Sequence, residues 1–218
     1  MRKLVTILIW VLFLGCAVKE EPLKTFTSRQ VTEKNVYSYG PVEVKVNPKL
    51  DYYNISGNIE KNKRWDDPTV REFNIFTRTG INKIVLIETH TRRLPNSFQP
   101  ARERLTENTE VIQKGSKPIA GKTWEVYTRA LPEFPEDILS AVKQKGINIE
   151  GYSCGLEIGV AREIDRFSRI YVSYIEGAKD CQTLPQNGGF LDDAQIHLLQ
   201  GFANRFDENI KISDQSSR

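Results

Sequence analysis

"GLEIGVAREIDRFSRIYVSYIEGAKD", Gly155 to Asp180, lies between two cysteines and carries two alternating arms. Leu156, Ile158 and Val160 alternate with other residues on a first arm, and Ile170, Val172 and Tyr174 do the same on a second. A period of two is the mark of a strand, because successive side chains leave opposite faces of the backbone. Between the arms, Asp165-Arg166-Phe167-Ser168-Arg169 is polar enough to turn the chain. The segment therefore reads as strand, turn, strand, flanked by Cys154 and Cys181.

Working outward, the chain before this hairpin repeats the same grammar. Val42 to Val46, "VEVKV", is a half-buried strand that Asn47-Pro48 ends. "YYNISGNIE" reads as a second strand with a break at Gly57, and Lys61 to Pro68 as a charged loop. Glu72 to Arg78 and Lys83 to His90 make a hairpin about "TGIN". The run Ile84-Val85-Leu86-Ile87 is apolar on both faces, as in a central strand. Glu110 to Gly115 and Lys122 to Ala130 form a further pair, joined by "SKPIAG" as a loop.

Two stretches read as helices. Pro135 to Gly146 has Pro at its first position, acids Glu136 and Asp137 early, Lys143 and Lys145 late, and Gly to stop it. The last helix begins at Asp192, with Gln195 completing a capping box and Leu191 and Ile196 a hydrophobic staple. Ala194, Leu198, Leu199, Phe202 and Phe206 recur at three- and four-residue steps along its buried face, where Gly201 allows close packing. "NIKIS" follows as a short final strand. These elements predict an α+β domain: a mainly antiparallel sheet of about six to eight strands, with two helices packed on one face.

The whole chain has 218 residues, 39% hydrophobic and 27% charged, an ordinary globular balance. Its first residues differ. Met1-Arg2-Lys3 is basic, and Leu4 to Gly15 is an apolar run of 12 residues broken only by Thr6. A membrane-spanning helix needs about 20. The pattern is that of a secretory signal peptide, and its end, Phe13-Leu14-Gly15-Cys16, resembles the lipobox of bacterial lipoproteins. Phe13 stands where that family prefers Leu. The resemblance implies cleavage after Gly15, diacylglyceryl and further acyl (palmitate-type) modification of Cys16, and anchoring in a membrane. Ala17, not Asp, follows Cys16, which in that family leans towards the periplasmic face of an outer membrane. Beyond these residues the chain resembles small putative lipoproteins of unknown function only in general layout.

The expected organisation is then a signal peptide over 1–15, a lipidated tether over 16–35, one domain over 36–212 and a frayed tail over 213–218. Removing 1–15 leaves 29 basic residues against 28 acidic, a net charge of +1, with no electrostatic footprint for nucleic acid. With Cys16 given to lipid, Cys154 and Cys181 remain as a structural disulfide across the open end of the hairpin, favoured by an envelope compartment. The chain-entropy relation gives roughly 3 kcal/mol for such a loop. Facing positions need an even sum and 154 with 181 is odd, so a bulge or loosened pairing around Gly177 is expected.

No motif for a nucleophile, phosphate, metal or haem is present, and nothing calls for a cofactor. His90 and His197 read as exposed or edge histidines. Glu157, Glu163 and Asp165 are candidates for a carboxylate pair, but such pairs are expected by chance in a chain of 28 acids. Arg92, Arg93, Arg102 and Arg104 gather about a long polar connection. This basic surface loop is open to anionic head groups or a glycan, or is simply solvated. Tyr52, Tyr53 and Trp65 nearby suit either a carbohydrate surface or ordinary strand packing. The expected function is a non-enzymatic binding or structural module on the envelope, with a membrane lipid, an envelope protein or a glycan as partner. The alternative is an envelope hydrolase or carbohydrate-active protein using acidic residues.

Overall fold

The structure, a computed structural model, describes residues 29–31, 35–61, 68–78, 80, 82–92, 110–131, 140, 143, 144, 146, 154–178, 184 and 190–215. Two antiparallel sheets account for most of them. A four-stranded sheet has the order β1-β2-β3-β11, from Arg29–Val31, Val36–Tyr39, Val42–Val46 and Ile210–Asp214. A seven-stranded sheet has the order β4-β5-β6-β10-β9-β8-β7. Its strands are β4 (Asp51–Lys61), β5 (Pro68–Thr77), β6 (Lys83–Arg92), β7 (Glu110–Ile119), β8 (Lys122–Leu131), β9 (Cys154–Asp165) and β10 (Ser168–Ala178). One helix, α1 (Asp193–Asn209), leads into β11.

This corrects the expected α+β architecture of one sheet with two helices on one face. The molecule is mostly β, in two sheets, with a single helix among the described elements. The physical reason is that β2, β3 and β11 bury their own alternating face, Tyr37, Tyr39, Val42, Val44, Val46 and Ile210, and so act as a second layer. The segment Pro135 to Gly146 lies largely outside the described residues. Ser140, Lys143 and Gln144 are helical and exposed there, and Gly146 takes a φ of +73° with its N–H donated to the Lys143 carbonyl.

The central hairpin is β9 and β10, and its register holds a sum of 332 from Arg169↔Glu163 to Ala178↔Cys154. The irregularity sits at the turn, between Ser168 and Arg169, not at Gly177, which faces Gly155 in register. The two meanders β4-β5-β6 and β7-β8-β9-β10 meet where β6 pairs with β10. The break expected at Gly57 is a shift in the β4–β5 register between Ile55 and Asn58.

The loop expected at "SKPIAG" is tighter than its composition suggests. Ala120 and Gly121, at φ +51° and +74°, form a two-residue hairpin turn, and β7 continues through Pro118. Pro118 lies on an edge strand, where a missing N–H breaks no ladder. The chain ends differ from expectation as well. Arg29–Val31, placed in the tether, pairs with β2, and Ser213 and Asp214, placed in the tail, pair with β3.

One core lies between the sheets. Val85, Ile87, Val160, Val172 and Tyr174 of the large sheet pack with Tyr37 and Val44 of the small one and with Leu199, Phe202 and Phe206 of α1. The capping box of α1 is present, with Asp192 Oδ1 accepting from the Gln195 N–H at 2.8 Å and Gln195 Oε1 from the Asp192 N–H at 2.9 Å. Ala194 and Ile196 are exposed rather than on the buried face. A Cβ on Gly201 would meet only Arg205 Nη1, at 3.5 Å, so no close approach requires glycine there. An ion pair from Arg162 on β9 to the buried Asp214 on β11 ties the layers together.

Candidate functional site

The other face of the large sheet carries the chemistry. Strand alternation puts Leu86, Glu88 and His90 of β6 on it, with Arg169, Tyr171 and Ser173 of β10, Glu157, Gly159 and Ala161 of β9, and Glu125, Tyr127 and Arg129 of β8. One end of this face is apolar, where Ile75, Ile84, Leu86 and Ile175 cluster. The rest is charged, and Glu88, His90, Arg129, Glu157, Arg169 and Ser173 are all buried there.

Register explains who meets whom. Arg129 and Glu157 are direct cross-strand partners, and the Arg129 Nε donates to Glu157 Oε2 at 2.5 Å. The Tyr127 hydroxyl adds a bond to Glu157 Oε1 at 3.1 Å and reaches Ser173 Oγ, also at 3.1 Å. To do so its ring crosses β9 above Gly159, where an added Cβ would lie 2.0 Å from the ring carbon Cζ. Glycine at 159 is therefore a steric requirement of the network. Arg169, whose neighbour on β9 is Glu163, reaches across that strand to Glu125 at 2.5 Å, and its guanidinium lies 4.9 Å from the Tyr171 ring centroid. On β6, Glu88 Oε1 and His90 Nε2 are 2.6 Å apart, and the imidazole packs on Tyr171 at 4.8 Å between centroids.

Buried charges are tolerable only when paired and hydrogen-bonded. Glu157 is engaged by a guanidinium and a phenol, Glu88 by an imidazole and Asp214 by Arg162. Among the described residues no group of three or more His, Cys, Asp and Glu side chains is placed to hold a metal ion.

The residues singled out from the sequence fare unevenly. His90 was expected at an exposed or edge position and is instead buried on β6, an interior strand. His197 is exposed on α1. Glu157, Glu163 and Asp165 do not converge: Glu157 faces Arg129, Glu163 is exposed opposite Arg169, and Asp165 Oδ1 accepts the Phe167 N–H within the turn. Tyr52 packs on Phe76 at 5.1 Å and donates to Asn74 Oδ1, so its role is internal. Arg92 ends β6 opposite Thr69, while Arg93, Arg102, Arg104, Trp65, Cys16 and Cys181 lie outside the described residues. Cys154 is buried at the start of β9, opposite Ala178, and is disulfide-bonded.

Glu88, Glu125, Tyr127, Arg129 and Arg169 were missed. A signal was present for Glu88, which follows the doubly apolar run Ile84–Ile87, whereas Glu125, Tyr127 and Arg129 lie in a strand with no such run and Arg169 reads as part of the turn. With this geometry established, comparison with known proteins adds no further identification, since no family model, curated protein or solved structure matches the chain. The class defined by the fold is a two-sheet antiparallel β protein with one C-terminal helix.

Proposed function

We propose that the chain is a lipid-anchored envelope protein, held in a membrane through acylated Cys16, whose β domain is a non-enzymatic binding or structural module. The outer membrane's periplasmic face is its place where the cell has one, and an envelope protein or glycan is its partner. One observation carries the choice of module over hydrolase. The buried carboxylates of the large sheet are each tied to a neighbouring side chain, Glu157 to Arg129 and Glu88 to His90, whereas acid–base hydrolysis needs two carboxyl groups facing a substrate. Such pairs stiffen a scaffold and leave its rim to bind. We further propose that Cys181 is the partner of Cys154, closing the open end of the central hairpin.

The alternative, an acid-using envelope hydrolase, draws support from the Glu88–His90 contact at 2.6 Å, since a carboxylate that orients an imidazole is a common part of catalytic sites. It requires substrate to reach a buried pair. Membrane fractionation of the full chain and its Cys16→Ser variant tests the anchor, and cross-linking in intact cells then identifies what the module holds. The wild type is expected in the membrane fraction and the variant in the soluble one. Equal distribution of both would defeat the proposal. Hydrolysis of an envelope substrate lost in Glu88→Gln, with folding intact, would favour the alternative.

A further inference from the structure

The outer face of the four-stranded sheet carries an arrangement that the fold does not explain. Lys45 of β3 and Lys211 of β11 are direct cross-strand partners, and both are exposed. Like charges set opposite each other in a ladder oppose pairing. No ion pair accompanies either lysine among the described residues. On the other side of β3, Val36 faces Lys45 in the same row. Ser38, Glu43 and Ser213 form the next register row, and the Glu43 carboxylate accepts from the Gln215 amide at 3.3 Å. Among the described side chains of this face, two lysines stand against one glutamate.

We propose that this face docks on the anionic lipid head groups of the membrane that holds the anchor. The inference rests on the anchoring proposed above and deepens it. Two observations select the occupant. The first is charge: a lysine pair matches phosphate-bearing head groups, which attract each nearby Lys. The second is chain length: only residues 17–28 separate Cys16 from β1, and β1 belongs to this sheet. Fully extended, that interval spans at most about 45 Å. The small sheet is thus the layer from which the anchor departs. Docking would set the sheet's outer face against the bilayer and turn the large sheet away from it. Two lysines, partly offset by Glu43, favour the docked state by on the order of tenfold at low salt.

The test uses the full acylated chain in two vesicle preparations, one of phosphatidylcholine alone and one with phosphatidylglycerol added. Amine-reactive labelling is followed by mass spectrometry at Lys45 and Lys211, with the exposed Lys114 on β7 as reference. In the anionic vesicles, Lys45 and Lys211 are expected to label about tenfold more slowly, with Lys114 unchanged and the difference removed by high salt. Lys45→Glu with Lys211→Glu should abolish anionic-lipid protection of the neighbouring backbone in hydrogen exchange. Chain that floats with the vesicles but labels Lys45 and Lys211 equally in both would overturn docking and leave the anchor standing. Chain that does not float with vesicles at all would overturn both.

Discussion

The two faces of the seven-stranded sheet solve the same problem with different chemistry. The face towards the small sheet is a hydrocarbon core of Val85, Ile87, Val160, Ile170 and Val172, each at 0% exposure. The opposite face is just as buried over Glu88, Glu157, Arg169 and Ser173, yet its side chains are ionic or polar. Hydrocarbon burial is forgiving, since roughly 25 cal/mol per Å² accrues whichever apolar group supplies it. A buried ionic face is not. Each charge there is tolerable only while its partner and its geometry are kept. One face supplies stability and the other supplies constraint.

The largest effect should follow from splitting the Arg129–Glu157 pair. Both side chains are nearly or fully buried, so Arg129→Met or Glu157→Leu alone should destabilise by about 3–5 kcal/mol. The double variant should recover most of that loss, because it leaves no orphan charge. Urea denaturation followed by tryptophan fluorescence measures both. Single variants within 1 kcal/mol of wild type (about the error of such a comparison) would break the contrast between the faces.

Gly159→Ala should come next. Its methyl would occupy the path of the Tyr127 ring, and overpacking of this kind costs about 1–3 kcal/mol. Tyr127→Ala in the same chain removes the clash, so the pair should be less than additive in denaturation. Smaller still is Gly201→Ala on α1, where nothing crowds the position. That change should raise stability by up to about 1 kcal/mol and the melting temperature with it.

Alkaline pH sharpens the comparison from the dry side. Burial, helped by the bond to Glu176, raises the Tyr174 hydroxyl pKa well above its ordinary value of 10.0, and burial raises that of Tyr39. The unfolded chain therefore loses these protons first. Stability from both tyrosines is intact below about pH 10 and falls as pH rises beyond it. Tyr174→Phe should flatten part of that decline in a pH series of denaturation curves.

Alternation made the strands legible. Leu156-Ile158-Val160 and Ile170-Val172-Tyr174 announce the hairpin, and Asp192 with Gln195 announces the helix start, because these are local signals. The second sheet was not legible in the same way. "VEVKV" and "NIKIS" are visible as strands, but their pairing spans the whole chain, and no local pattern states that β3 takes β11 as its neighbour. The end of β7 was misread because Pro118 and Gly121 look like a loop, while an edge strand accepts proline and a two-residue turn needs glycine. The ionic face was half legible. Glu88, His90 and Arg129 alternate with the core-facing residues of their strands, and a charge at such a position reads as solvent-facing unless its cross-strand partner is known. The partner is a fact of register. Glu157 meets Arg129 only because β9 pairs β8 with Val160 opposite Val126.

The measurement that bears most directly on the account is the intact mass of the protein extracted from its membrane, taken with and without reductant. The expected chain begins at Cys16, carries acyl groups, and gains the mass of two hydrogens when the proposed Cys154–Cys181 bond is reduced. A chain cut elsewhere and without acyl groups would contradict the anchor, and with it the membrane module proposed for the domain.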